Sequence, residues 1–138
     1  MVWDFLTARG ATPEQKAYLE AMLILAMADG ELEDEELDDM AISCARHPKL
    51  SDLGDRTIIS VLNDCYRKML NQGNDKRIHE MAKVLPSTQQ RMDAIGLALS
   101  VSMSDGTIEP EELAILKQMQ SIFGLSDTQI QQVMDQYK

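Results

Sequence analysis

The chain has 138 residues, 44% of them hydrophobic and 4% aromatic, and a formal net charge of −10. That length suits one domain with a substantial core, and the charge works against nucleic-acid binding, because most of the surface would repel phosphates. The longest apolar run, 21–28, is too short to span a bilayer, and the first ten residues lack the basic start and long apolar core of a secretory signal.

Helix formers dominate and β-branched runs are absent, which predicts an all-α fold. Val2, Trp3, Phe5 and Leu6 suggest a short amphipathic turn docked on the body. Thr12-Pro13-Glu14-Gln15 opens the first long helix, with Thr12 as N-cap, Pro13 at the first helical position and Gln15 closing a capping box. That helix is expected to reach residue 28, apolar on every side over its second half, until Gly30 ends it. A second helix is expected over 34–46, with Leu37, Met40, Ala41 and Cys44 inward and His47 capping its end before Pro48.

Ser51 or Asp52 then opens a long helix carrying Ile58, Leu62, Cys65 and Met69. The turn 71–74 separates it from a shorter one with Ile78, Met81, Ala82 and Leu85 inward. Ser87 and Gln90 form another capping box. The helix they open carries small residues at Gly96, Ala98, Ser100 and Ser102, which let a neighbouring helix approach closely. Pro110 starts the next helix, which runs to Gly124, and Ser126 caps a last one ending near Tyr137. Cys44 and Cys65 form no CxxC. They could pair, but the spacing does not demand it, and buried free thiols in a cytoplasmic protein are the expected state.

Two stretches organise this pattern. Asp29-Gly30-Glu31-Leu32-Glu33-Asp34-Glu35-Glu36-Leu37 returns 76 residues later as Asp105-Gly106-Thr107-Ile108-Glu109-Pro110-Glu111-Glu112-Leu113. Each follows a buried helix and opens an amphipathic one. The chain therefore reads as one domain over 1–138 with internal repeats at about 13–52 and 89–127, a bundle of about seven helices in two pseudo-symmetric helix-corner-helix halves.

Both corners are acidic. Residues 1–45 hold 11 acids against 2 bases and residues 92–138 hold 7 against 2, whereas residues 46–91 hold 5 against 9. Each corner resembles the second half of an EF-hand loop: Asp29-Gly30 and Asp105-Gly106 fill its third acidic position and glycine, and Glu36 and Glu112 its terminal glutamate. The first two ligand positions are Leu25 and Met27 in one copy and Val101 and Met103 in the other, so neither corner is a self-sufficient loop. Asp-Gly is also a good turn, and carboxylates favour the first turn of a helix, so turn chemistry with a solvated acidic face is the competing reading. Oxygen ligands point to Ca²⁺ or Mg²⁺ rather than Zn²⁺. His47 and His79 have no partners for a triad or a zinc site, and no glycine-rich phosphate loop occurs.

The corner residues, Ala26 to Leu32 with Glu35-Glu36-Leu37, and Ser104 to Ile108 with Glu111-Glu112-Leu113, resemble the tellurite-resistance TerB-like family over about residues 12–137. The resemblance implies a compact helical bundle, and divalent-cation binding at positions that here are Asp29, Glu33, Glu36, Asp105, Glu109 and Glu112. It also implies a binding module rather than an enzyme, in bacterial stress-response and membrane-associated systems. The leading expectation is a non-enzymatic, cation-responsive cytoplasmic adaptor with protein partners that are basic or membrane-associated, without membrane insertion of its own. A metal-free module docking a basic partner is the alternative. A metal-assisted hydrolase ranks last, for want of a visible base, nucleophile or pocket.

Overall fold

The computed structural model describes residues 10–30, 32, 34–103 and 107–136, apart from the side chain of Asp39. Seven helices and no strand occur among them: α1 (Pro13–Ala26), α2 (Asp34–Arg46), α3 (Asp55–Gln72), α4 (Asn74–Val84), α5 (Thr88–Ser102), α6 (Pro110–Phe123) and α7 (Asp127–Asp135). None is long and apolar enough to cross a membrane. The expected N-terminal turn at Val2–Leu6 and the expected helix end at Tyr137 lie outside the described residues.

Three helix starts form as their sequences dictate. The Thr12 hydroxyl accepts the Gln15 N–H at 3.1 Å while the Gln15 side chain accepts the Thr12 N–H at 3.0 Å. Ser87 with Gln90 and Ser126 with Gln129 repeat this reciprocal cap. Each satisfies two of the amide groups that a helix start leaves without partners.

Nine consecutive residues of α1, Ala17 to Leu25, are buried, as its all-round apolar character requires. Its main neighbour is α5, where Ala94 to Leu99 are buried. Around this pair α3, α4 and α6 also touch α1, α7 covers α5, and α2 lies mainly on α3. A fully buried Leu or Ile contributes about 1.5–3 kcal/mol, so this central pair carries much of the core.

Several boundaries differ from expectation. α1 ends at Ala26: the Met27 amide still reaches the Leu23 carbonyl, but the Ala28 amide tightens onto the Leu25 carbonyl and Gly30, at φ +90°, redirects the chain. The long third helix starts at Asp55, not at Ser51 or Asp52. Residues before it form tight turns in which the Leu50 amide reaches the His47 carbonyl and the Leu53 amide the Leu50 carbonyl, both at 3.0 Å. Leu50 and Leu53 are thereby buried, and two leucines three apart imitate the pattern of a helix. The turn at 71–74 contracts to Gly73, held at φ +85°. His47 does not cap α2 through its ring; its Nδ1 instead accepts the Lys49 N–H at 3.2 Å and shapes the following turn. Gly96 and Ala98 are buried as small packing residues should be, but Ser100 is exposed and donates to the Leu97 carbonyl at 2.6 Å.

Glu20 is the one charged residue buried among those described, 3% exposed within α1. Arg77 of α4 meets it with two parallel bonds, Nε to Oε2 at 2.8 Å and Nη2 to Oε1 at 2.9 Å, and Nη1 donates to Gln72 at 3.0 Å. A buried carboxylate needs such a fork, because desolvation without it is costly. Cys44 and Cys65 are free and buried, and burial pushes both thiols up to about 12.

Candidate functional site

One glutamate from each acidic stretch lines a common cleft. α1 and α5 run side by side, and where both end, α2 and α6 leave the corners and enclose a cavity of about 350 Å³. Glu36 enters it from α2 and Glu112 from α6. These are the two positions expected to supply an EF-hand's terminal glutamate, 76 residues apart. Ala26 and Ser102, the last residues of α1 and α5 and also 76 apart, lie in the same wall. Met40 and Val101 make it partly apolar, and Ser43 and Ser100 add hydroxyls.

The carboxylates are positioned differently. Glu112 occupies the third position of α6 and accepts the Glu109 N–H at 2.9 Å, so a capping bond fixes its orientation. Glu36 stands in the first turn of α2, half-buried, one turn before the buried Met40. The Ser102 Oγ is buried, with no hydrogen-bond partner among the described residues, where an unsatisfied hydroxyl usually costs about 1–3 kcal/mol.

Of the six expected metal positions, the structure brings Glu36 and Glu112 to one cavity. Asp29 and Glu109 are exposed and are not among the described residues that line it. Glu33 and Asp105 lie outside the described residues. No group of three or more His, Cys, Asp or Glu that could hold a metal ion occurs among the described residues. In kind, the donors suit a hard cation, since they are carboxylates and hydroxyls without sulfur or imidazole. In number they fall short of the six to eight oxygens that Ca²⁺ takes, so water would have to complete the shell.

A larger cleft of about 450 Å³ lies between α1, α3 and α4. Its charges are largely matched among themselves: Arg77 with Glu20, Lys68 with Asp64 at 3.1 Å, and, at its edge, Glu80 with Lys83 at 3.0 Å. The Glu20–Arg77 pair escaped the sequence reading, although one signal was present. A single carboxylate inside an otherwise apolar helix demands a cationic partner somewhere in the chain.

Fold and cleft define an all-helical module in which two acidic helix starts flank one cavity. The chain belongs to the family described as tellurite resistance protein TerB, whose profile matches residues 15–135. No curated protein and no solved structure matches the chain significantly. TerB is not known as a family of enzymes.

Proposed function

We propose that this chain is a non-enzymatic binding module of a bacterial stress-response system of the tellurite-resistance type, and that it responds to a divalent cation, Ca²⁺ or Mg²⁺, held by its acidic corners. The observation that carries the reading is the convergence of Glu36 and Glu112, from two copies of one motif, on a single cavity. An ion between them would tie α2 to α6 and couple cation level to the arrangement of the corner helices. Asp29, Glu33, Asp105 and Glu109 are the further acids within the two corners.

Weak binding is expected, since each corner lacks half of an EF-hand's ligands. At tenfold excess over Kd, one ion adds about 1.4 kcal/mol, which for a chain of this size raises Tm by roughly 5 °C. Thermal melting with 10 mM Ca²⁺ or Mg²⁺ tests this. The rise should vanish in the Glu36→Gln, Glu112→Gln double variant, and a wild type indifferent to both ions would rule the reading out.

The metal-free alternative is favoured by one observation: Asp34, Glu35 and Asp38 are exposed along α2. Such a face would speed encounter with a basic partner, in solution or membrane-associated, in a salt-sensitive way. Equal partner yield in pull-downs with and without these three charges, across salt concentrations, would reduce it to a solvated face.

A further inference from the structure

We infer that the cleft between α2, α5 and α6 binds an aliphatic diamine or polyamine, with one ammonium group at Glu36, another at Glu112, and the methylene chain lying against Met40 and Val101. The inference rests on the reading that this cleft takes cations, and it names their chemistry as organic.

Three observations support it. The first is size. The cavity holds about 350 Å³, the share of roughly a dozen waters, so an inorganic ion would leave most of it to solvent. Second, part of the wall is apolar, through Ala26, Met40 and Val101. Those side chains offer an inorganic ion nothing, whereas methylene groups would displace water from them. The third is the distribution of charge: two carboxylates stand on two different helices, and no third acid joins them among the described residues. Two separated anionic points match a dication with a charge at each end better than one ion needing six to eight oxygens.

Glu112 is already oriented by the Glu109 amide, so little side-chain freedom is lost there on binding. The net charge of −10 draws cations toward the protein, and aliphatic amines are protonated at neutral pH, as lysine is.

Calorimetric titration of the full chain with 1,4-diaminobutane, 1-aminobutane and CaCl₂ tests the inference. The diamine should bind saturably and at least tenfold more tightly than the monoamine. Glu36→Gln and Glu112→Gln should each bring the diamine down to the monoamine's level. Glu112→Gln keeps its cap, because α1, α5 and α7 all use Gln at that position. Ser43→Leu, which fills the cleft from the exposed side of α2, should abolish binding while circular dichroism shows the helices intact. Neutralising Asp34, Glu35 and Asp38 should leave the affinity within twofold. Absent or non-saturable heat, equal affinity for the two amines, or equal loss in the three-charge control would overturn the inference. If Ca²⁺ binds in a Glu36- and Glu112-dependent way and the diamine does not, the cation reading survives and this one falls. If the diamine binds and Ca²⁺ does not, this one stands and the metal reading falls. If neither binds, both fall.

Discussion

The central helices α1 and α5 have two unlike ends. At their starts the polar groups are committed to one another. Gln90 donates to Glu14 at 2.8 Å, the Tyr18 hydroxyl donates to the same carboxylate oxygen at 2.7 Å, and Gln15 reaches Asp52 at 2.8 Å. Lys49 pairs with Asp93 at 3.4 Å and lies over the Tyr18 ring. At the other end the same two helices stop beside a cavity lined by two carboxylates, with the buried Ser102 hydroxyl behind its wall. One end is knotted by pairs of side chains, and the other gathers two carboxylates beside a cavity. The difference teaches where to look for function: at a cavity lined by charges of one sign.

The comparison can be broken from its strongest side first. Glu20 belongs to neither end. The residue 76 positions on is Gly96, so the spacing of the repeated motif does not repeat this ion pair. Arg77→Met strands a buried carboxylate and should cost about 3–5 kcal/mol, measured by urea unfolding. A cost below 1 kcal/mol would mean that water reaches Glu20. At the knotted end, the Gln90 and Tyr18 hydrogen bonds hold the Glu14 carboxyl below the usual carboxylate range. A depressed folded-state pKa gives stability that is present above the unfolded value and lost as pH falls through the folded one. Glu14→Gln should therefore cost about 1–3 kcal/mol at pH 7, and the difference from wild type should shrink below about pH 4.5. A pH-independent difference would show that geometry and not charge is responsible.

Ser87→Ala removes one N-cap at the same end and should cost about 1 kcal/mol by chemical denaturation. The smallest effect is expected at the open end. Ser102→Ala removes the unpartnered hydroxyl and gives position 102 the residue found at Ala26, so stability should be unchanged or raised by up to about 1 kcal/mol. Thermal melting decides it, and a loss comparable to that of Ser87→Ala would erase the distinction between the two ends.

Most of the fold was legible because local rules and global packing agree. The capping boxes at Thr12, Ser87 and Ser126 announced three helix starts, and Pro110 a fourth. The limits of α2 and the glycine end of α6 followed from the same signals. Legibility failed where tertiary contact overrode pattern. Leu50 and Leu53 plug the core from a turn, and Gly73 alone does what a four-residue turn was expected to do. The candidate site was half legible. Repetition of the motif pointed to Glu36 and Glu112 as a pair, but nothing in the sequence says that helices so far apart along the chain share a cavity. Ser102 was read only as a small packing residue, since a serine's lack of a partner is a property of three-dimensional surroundings alone.

The burial of α1 also bears on how the protein is made. Nine consecutive residues of this helix need cover on every side, and its main cover, α5, is encoded about 76 residues later. Synthesis at roughly 5–20 residues per second leaves the helix waiting some 4–15 s for that cover. During that time Leu19, Leu23, Ile24 and Leu25 have only each other, the early helices or a chaperone to shelter them. A nascent chain arrested before residue 88 should therefore bind chaperones and yield readily to protease, and resistance should arise only once α5 has cleared the exit tunnel.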